Sequence, residues 1–201
     1  MSSAPALVRG EDGRDRCWWG ASTPDYLEYH DTEWGRPVRS DQGMYERLTL
    51  EAFQSGLSWL TILRKREGFR RAFAGFDIDA VAAFGDADVE RLMADAAIVR
   101  NRAKIDAAIV NARAAQRMGE AGESLAELVW SHRPEVSSPP PRSADDLAAV
   151  TAESKALARE LKRRGFTFVG PTTVYSMMQA CGVVNDHLAG CWVREIPMLS
   201  A

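Results

Sequence analysis

The sequence predicts an all-α fold. Apolar residues recur with the three-to-four-residue spacing of amphipathic helices through most of the 201 residues. Alternation of apolar and polar residues with a period of two is scarce, and β-branched residues rarely cluster. These observations favour helices over strands throughout the chain.

The first clear helix is predicted after Asp41, which is a possible N-terminal cap. Met44, Leu48 and Ala52 follow at intervals of four, and this spacing places them on one helix face. A second helix is predicted in the stretch DADVERLM, with Asp86 as its cap.

Two longer helices are predicted further along the chain. One lies in an alanine-rich region that favours helix, and its apolar stripe comprises Ile98, Ile105, Ile109 and Ala112. The other begins near Thr151 and carries Leu157 and Leu161. Between them lies VSSPPPRSADD (residues 136–146), which is predicted to be a loop because three consecutive prolines cannot continue a helix.

The length is that of one domain, which two helical lobes sharing a core could form. We expect residues 1–13 to be a disordered tail and residues 14–201 to be a single globular domain. No segment resembles a signal peptide or reaches the roughly 18 apolar residues of a membrane helix. We therefore expect a cytoplasmic protein in which the cysteines stay reduced.

The formal net charge of −3 argues only weakly against a nucleic-acid partner, because local excesses of positive charge can lie on one face. Two segments carry such an excess: TILRKREGFRRAF (residues 61–73) and ELKRRGF (residues 160–166). Each run is either a solvated helix face or part of a surface that binds a polyanion.

A metal site is indicated near the C-terminus by the stretch NDHLAGC (residues 185–191). His187 and Cys191 are four positions apart, which puts both side chains on one face of a helix. With Cys17 and His30 upstream they form a candidate Cys2His2 set, whose donors favour one tetrahedral zinc ion. The alternative is that each of these residues only packs in the core.

A zinc ion held in this way would be structural, because four protein ligands leave no position open for water. It would join the N-terminal segment to a C-terminal helix. His132 and Cys181 stand apart from the four candidates and are interpreted as non-ligands.

A short turn between two helices is predicted where GFTFVGPTT follows the basic LKRR. Gly165 and Gly170 bracket this turn, and Pro171 suits the first turn of the second helix. Unpaired N–H groups at that helix N-terminus can donate to a phosphate, and Lys162 to Arg164 add positive charge. The alternative is an ordinary connector after a C-terminal glycine cap.

Aromatic and acidic residues indicate a ligand pocket. Tyr26 and Tyr29 are three positions apart, hence on one helix face. Glu51 lies in the otherwise apolar stretch LEAFQSGLSW, which ends near Trp59, and an unpaired buried carboxylate costs several kcal/mol. Such a set suits a flat, cationic, aromatic ligand. The alternative is a group of core aromatic residues with Glu51 facing solvent.

Long segments resemble the DNA-3-methyladenine glycosylase I family, within the helix-hairpin-helix DNA glycosylases. They are DYLEYHDTEWG, LEAFQSGLSWLTILRKREGFR, ADAAIVRNRAKIDAAIVNARA and LKRRGFTFVGPTTVYSMMQACGVVNDHLAGC, and they span about residues 16–192. The resemblance implies a hairpin near residues 161–181 that grips the DNA backbone while one damaged nucleotide is flipped into a pocket. It also implies one structural zinc ion on Cys17, His30, His187 and Cys191.

The resemblance further implies base-excision repair: 3-methyladenine is released hydrolytically from alkylated double-stranded DNA, which leaves an abasic site and an uncut strand. Glu51 is implied as the catalytic residue, with Tyr26, Tyr29 and Trp59 beside it in the base pocket. The expected DNA contacts are Leu57 as an apolar wedge, together with Lys162, Arg163, Arg164, Gly170, Thr172 and Thr173. We expect a monomer that does not associate with membranes.

Two other functions fit parts of the pattern. One is a non-catalytic, zinc-stapled module that binds DNA without breaking a bond. The other is a zinc hydrolase of small molecules, which would need an open position on the metal.

The chain departs from the family pattern in its longer N-terminal tail, in its proline-rich loop and at two further points. Ala52-Phe53 replaces the small-then-polar pair that often follows the pocket glutamate. Asn185 stands where many members of the wider superfamily carry a catalytic aspartate, although Asp186 is adjacent. The presence of a second catalytic carboxylate is therefore open.

Overall fold

The computed structural model describes residues 7–136 and 138–196, over which the chain is mostly helical, in agreement with the predicted fold class. The α-helices are α1 (Pro24–Thr32), α2 (Asp41–Gln54), α3 (Trp59–Ala72), α4 (Ile78–Ala82), α5 (Asp86–Ala94), α6 (Arg102–Glu120), α7 (Leu125–Trp130), α8 (Ala152–Arg163) and α9 (Pro171–Ala180). Short 3-10 helices cover Trp18–Ala21, Ala74–Phe76 and Ala144–Asp146. None of these helices combines the length and the apolar character that crossing a membrane requires.

A two-stranded antiparallel sheet precedes the first helix, and it is an exception to the all-α prediction. Strand β1 (Leu7–Arg9) pairs with strand β2 (Asp15–Cys17). Gly13 lies between them at a φ of 76°, a left-handed conformation that glycine adopts without a steric penalty. The prediction of a disordered tail is therefore wrong for residues 7–13, because strands of three residues are too short to show alternation. Residues 1–6 lie outside the described part of the chain.

The caps of two helices lie one residue earlier than predicted. Ser40 caps α2 and Gly85 caps α5, so Asp41 and Asp86 are the first helical residues. Both aspartates still stabilise their helices, because a negative charge in the first turn interacts favourably with the helix dipole. Thr151 caps α8 as predicted.

The main core forms around α2, which packs against α3, α6, α7 and α9. Met44 and Leu48 are fully buried there. Tyr45 donates a hydrogen bond from its hydroxyl to the carbonyl of Ala108 on α6, at 2.9 Å. The predicted apolar stripe is also buried, and it comprises Ile98, Ile105, Ile109 and Ala112.

A second, smaller apolar cluster lies where the two ends of the described chain meet. Its buried members are Cys17, Leu188, Cys191 and Val193, with Leu7, Trp18, Trp19 and Trp192 packed against them. The backbone N–H of Trp192 donates to the carbonyl of Asp15 at 2.9 Å, which joins β2 to the C-terminal segment.

The turn between α8 and α9 is held by the core on one side and by a buried amide on the other. Phe166 and Val169 are buried. Between them, Thr167 donates from its N–H to Asn111 Oδ1 at 2.7 Å and accepts at its carbonyl from Asn111 Nδ2 at 3.0 Å. Gly170 caps α9 and Pro171 is its first residue, as predicted.

Candidate functional site

A cavity of about 200 Å³ opens between α1, α2, α3 and α9. Aromatic rings and a few polar side chains surround it, a composition typical of ligand sites. The lining residues are Trp19, Tyr26, Tyr29, Trp34, Glu51, Gln54, Trp59, Ser176 and Gln179.

The aromatic rings of the cavity pack against one another. Tyr29 and Trp59 are in tilted contact, with ring centroids 5.5 Å apart and planes inclined by 43°. Trp19 meets Trp34 edge-on at 5.0 Å and Tyr26 edge-on at 5.7 Å. The side-chain geometry therefore offers ring faces and edges to a flat ligand.

Tyr26 also fixes the start of α3. Its hydroxyl oxygen accepts a hydrogen bond from the backbone N–H of Leu60 at 3.0 Å. That N–H belongs to the first turn of α3, where backbone donors have no partner within the helix. The bond holds α3, and with it Trp59, at a defined distance from α1.

Glu51 lies on the cavity-facing side of α2 and is 6% exposed. Burial raises the pKa of Glu51 to about 8, and the positive charge of Arg47, one turn earlier, offsets only part of this effect. The carboxyl group is therefore mostly protonated at neutral pH, and a cation placed beside it would favour the carboxylate.

The cavity wall also contains a buried hydrogen-bond donor on Trp59. The indole N–H of Trp59 is buried and makes no hydrogen bond to any part of the chain that the structure describes. Because an unpaired buried donor is unfavourable, this N–H indicates a place where a ligand or water could accept.

The four residues predicted to share a pocket do line one cavity. Tyr26, Tyr29, Glu51 and Trp59 come from three different helices. The alternative in which Glu51 faces solvent is wrong, since its side chain is buried among these rings. The roles of the four residues remain predictions.

Five lining residues are not identified by sequence analysis, and they are Trp19, Trp34, Gln54, Ser176 and Gln179. Gln54 follows Glu51 by three positions and so lies on the same helix face. This spacing could have predicted that Gln54 lines the same cavity. Ser176 and Gln179 lie in an apolar stretch of α9 that shows no such pattern.

The candidate metal ligands also come together. Cys17, His30, His187 and Cys191 are all buried, and their donor atoms lie within 4.8 Å of one another. His30 Nε2 is 3.5 Å from Cys191 Sγ. His187 Nδ1 is 3.7 Å from Cys191 Sγ and 3.8 Å from Cys17 Sγ. This four-donor cluster could hold a metal ion.

The other nitrogen of each imidazole has its own acceptor. His30 Nδ1 is 2.8 Å from a carboxylate oxygen of Asp31, and His187 Nε2 is 3.1 Å from the carbonyl of Trp34. Hydrogen bonds of this kind fix the tautomer, so that the remaining nitrogen of each ring is free to bind a metal.

The local structure predicted for two of these ligands is wrong. His187 and Cys191 do not lie on a helix, because α9 ends at Ala180 and residues 185–191 run as a loop with one turn. The cluster still forms, because this loop packs against the end of β2. The backbone N–H of Leu188 donates a hydrogen bond to Cys17 Sγ at 3.3 Å. Among the described residues, Cys181 and His132 lie outside the cluster, as predicted.

The cluster and the cavity share two tryptophans. Trp19 packs edge-on against His30 at 5.1 Å, and Trp34 packs edge-on against His187 at 4.6 Å. Each tryptophan precedes a glycine that an imidazole approaches closely: a Cβ at Gly20 would lie 2.5 Å from His30, and one at Gly35 would lie 3.0 Å from His187. In each Trp-Gly pair, the tryptophan lines the cavity and the glycine leaves room for a histidine of the cluster. These two dipeptides therefore connect the candidate metal ligands with the cavity wall.

The basic run of α3 is largely paired with acidic residues. The ion pairs are Arg64 with Asp25 at 2.9 Å, Arg66 with Glu33 at 2.5 Å and Arg70 with Glu46 at 2.8 Å. These pairs hold α3 against α1 and α2 and neutralise much of the charge of the run.

The basic residues of the α8–α9 turn differ in their partners. Arg163 pairs with Glu160 at 2.6 Å, and Arg164 pairs with Glu123 at 2.7 Å. Lys162 is exposed. At the start of α9, Thr172 and Thr173 line a smaller cavity, of about 190 Å³, beside Glu51 and the turn that carries Leu57.

Comparisons with known proteins agree in one family. A family model described as methyladenine glycosylase matches residues 18–195. The chain is 48% identical over 180 residues to DNA-3-methyladenine glycosylase 1 of Escherichia coli, a match that covers 88% of this chain and 95% of that protein. A crystal structure of 3-methyladenine DNA glycosylase I matches with a TM-score of 0.85 at 47% identity, over 88% of this chain and 98% of the other. A variant of 3-methyladenine DNA glycosylase I, solved in complex with 3-methyladenine, matches with a TM-score of 0.84 at 34% identity. This match covers 90% of this chain and 98% of the other.

Replacement of Glu51 by glutamine should change how stability depends on pH. Because the pKa of Glu51 is raised from its usual 4.5 to about 8, its stabilising contribution is full at low pH and is lost as the pH rises through about 8. As the pH rises from about 5.5 to about 8.5, the free energy of unfolding of the parent should therefore fall relative to that of Glu51→Gln, by at most on the order of 3 kcal/mol at ~1.4 kcal/mol per pKa unit. Thermal unfolding of both proteins across this range measures the difference.

Glu127, which is exposed on α7, provides the matched control. Glu127→Gln should follow the parent at every pH. Parallel stability curves for the parent and Glu51→Gln would contradict the raised pKa.

Proposed function

Because the chain belongs to the methyladenine glycosylase family, we propose that it is a base-excision repair enzyme that releases 3-methyladenine from alkylated DNA. The observation that carries this proposal is the cavity in which buried Glu51 meets the rings of Tyr29 and Trp59. The complex of a relative with 3-methyladenine supports the same substrate.

The cavity recognises the positive charge of the methylated base. Methylation at N3 makes the adenine ring cationic, and a cationic ring stacks well on the faces of Tyr29 and Trp59. Glu51 accepts a hydrogen bond from the amino edge of the base, and the cation lowers the pKa of this carboxyl group. Tyr26 closes the wall. Unmodified adenine is neutral, and it loses more stacking and pairing when it is flipped out of the duplex.

The bond to the sugar breaks without a proton donor. The electron pair of the C1′–N9 bond passes to the cationic base, which leaves as neutral 3-methyladenine. The sugar becomes oxocarbenium-like, a charge that the Glu51 carboxylate and the DNA phosphates stabilise, and water then adds to C1′ and loses a proton. Each ~1.4 kcal/mol of stabilisation raises the rate tenfold, so a modest effect suffices for a bond that is already weak.

The reaction ends at an abasic site with an intact strand. Strand cleavage by a bifunctional glycosylase needs an amine nucleophile, and none of the described residues that line the cavity is a lysine. Lys104 lies close to the end of α2, but its ammonium group is bound to the carbonyls of Phe53 and Ser55 at 2.9 and 2.6 Å.

The α8–α9 pair serves as the helix-hairpin-helix element that binds the DNA backbone. The N–H groups of Thr172 and Thr173 lie in the first turn of α9, where a helix can bind phosphate. A Cβ at Gly170 would meet nothing within 4 Å, so the fold itself does not require glycine, and a backbone can approach closely here. Leu57 is 42% exposed in the turn after α2 and acts as the apolar wedge in the vacated duplex.

The four-donor cluster holds one structural zinc ion. Zinc bonds of ~2.3 Å to sulfur and ~2.1 Å to nitrogen give sulfur–nitrogen separations of about 3.6 Å at tetrahedral angles. Three of the four sulfur–nitrogen separations in the cluster are 3.5, 3.7 and 3.8 Å, which fits this geometry, and all donor atoms lie within 4.8 Å of one another. Four protein ligands complete the coordination, so the ion supplies stability rather than a bound water. The zinc hydrolase alternative is therefore not favoured.

The central test is incubation with methylated duplex DNA and identification of the purine released. We expect 3-methyladenine from the parent, and a loss of at least about 100-fold in rate for Glu51→Gln, because the neutral amide can no longer pair with the cation. The variant should keep its metal and its fold. Glu127→Gln should retain full activity.

The same experiment separates the enzyme from a non-catalytic module. A folded, metal-loaded parent that binds the methylated duplex but releases no purine would support a DNA-binding module instead. Undiminished activity in Glu51→Gln would remove Glu51 from the mechanism.

Removal of one candidate metal ligand should destabilise the contact between the N-terminal and C-terminal segments of the chain. We expect about one zinc ion per chain in the parent and in Cys181→Ala, and none in Cys191→Ala, whose melting temperature should be lower by several degrees. Metal analysis and thermal unfolding measure both. Rapid, reversible loss of activity on mild chelation, without unfolding, would contradict a structural role.

Lys162→Ala should weaken binding to duplex DNA and reduce the salt slope of the binding constant by about 1, because one phosphate contact is lost. Lys155, exposed near the other end of α8, is the matched control, and Lys155→Ala should keep the parental slope. Titrations of labelled duplex at several salt concentrations give the slopes. An unchanged slope in Lys162→Ala would mean that this lysine faces away from DNA.

A further inference from the structure

Asp186 receives two hydrogen bonds from one face of α9. Tyr175 donates from its hydroxyl to Asp186 Oδ2 at 2.6 Å, and Gln179 donates from Nε2 to the same oxygen at 2.7 Å. Tyr175 and Gln179 are four positions apart, so they lie on adjacent turns of the helix. Neither Asp186 nor Asn185 lines the cavity that holds Glu51, and so neither takes the place of a catalytic aspartate there.

Gln179 does line that cavity, and the bond to Asp186 determines how its amide group is turned. A carboxylate can only accept hydrogen bonds, so the NH2 end of the amide must point towards Asp186. The carbonyl Oε1 is then turned away from Asp186, and it is the acceptor that Gln179 can offer to the cavity. Without Asp186, either end of the amide could face a ligand.

We propose that Asp186 is a positioning residue that fixes Gln179 Oε1 as an acceptor for the base, and that this acceptor selects purines with an amino group at position 6. This inference rests on the proposed function. The exocyclic amino group of 3-methyladenine has two hydrogens, and two acceptors lie in the cavity wall for them, Glu51 on α2 and Gln179 on α9.

A guanine adduct presents the opposite group at this position. The carbonyl at position 6 of 3-methylguanine is an acceptor, and it would face a fixed acceptor without a hydrogen between them. A site built around fixed hydrogen-bonding groups rejects the mismatched ligand, because both polar groups are left unpaired when water is excluded. The Asp186–Gln179 pair therefore contributes selectivity between adenine and guanine adducts.

The test compares release of 3-methyladenine and 3-methylguanine from the same methylated DNA. In Asp186→Asn, the new amide can accept as well as donate, so Gln179 can turn. The ratio of the two release rates should fall by about tenfold or more. Gln179→Met, which keeps the length of the side chain but removes the acceptor, should lower the ratio similarly. The double variant should show little further loss, because both changes remove one interaction.

Tyr175→Phe is the matched control, because it removes the other hydrogen bond to Asp186 and leaves the bond to Gln179. The ratio of 3-methyladenine to 3-methylguanine release in Tyr175→Phe should equal that of the parent. Metal content and melting temperature are measured for each variant, since Asp186 precedes the candidate ligand His187. Equal losses on both substrates in folded, metal-loaded Asp186→Asn, with the ratio unchanged, would overturn the inference.

Binding of the free bases distinguishes this inference from the proposed function. Quenching of tryptophan fluorescence gives the affinities for 3-methyladenine and 3-methylguanine without any bond cleavage. A parent that releases no purine fails as an enzyme. If its preference for free 3-methyladenine is lost in Asp186→Asn, the positioning role still stands; if the preference is unchanged, that role is overturned too.

Discussion

The shape of the cavity depends on one buried group of four donor atoms that joins the two ends of the described chain. The donors belong to Cys17, His30, His187 and Cys191. Trp19 and Trp34 pack on the two imidazoles and also form part of the cavity wall. The position of this wall is therefore set by donor geometry as well as by apolar packing, and the chain ends must be joined before the cavity is complete. A metal ion bound by these donors would stabilise the cavity wall without lining the cavity itself.

The buried carboxyl group of Glu51 is an unfavourable feature of the same cavity. A carboxyl group surrounded by rings is protonated when no cation is near, and its ionisation without a partner is unfavourable. A neutral base gains no ion pair on entry, whereas a cationic base makes the carboxylate favourable and is held by it. In the proposed mechanism, selection by charge therefore follows from the burial of Glu51, because a solvent-exposed carboxylate would be ionised with or without a ligand. The unfavourable burial of Glu51 is the physical source of its proposed specificity.

Residue types and helical spacing indicated the candidate site but left open the alternatives of plain core packing and a solvent-facing Glu51, and the family resemblance was needed to choose between them. Tyr26, Tyr29 and Glu51 lie on helices, where positions three or four apart share a face, and the structure brings them together. The candidate metal ligands were identified by their donor atoms, which lie together in the structure. The predicted helical spacing of His187 and Cys191 was wrong, because a loop positions both residues. Trp19 and Trp34 were not predicted, since their approach depends on contacts between distant segments. The strands β1 and β2 were missed because three residues are too few to show a pattern.

The residues around the cavity also limit the chemistry. A neutral lesion leaves as an anion unless an acid protonates it, and a second group must then activate water or stabilise the sugar. Among the described residues that line the cavity, Glu51 is the one carboxylic acid, and Asp186 is occupied by Tyr175 and Gln179 outside it. A single acid that protonates a neutral base becomes a carboxylate only as its proton is transferred. The proposed mechanism does not need this transfer, because a base that is cationic before cleavage leaves as a neutral molecule and Glu51 is a carboxylate beside the sugar throughout. In the proposed mechanism, the substrate range therefore follows the charge of the base.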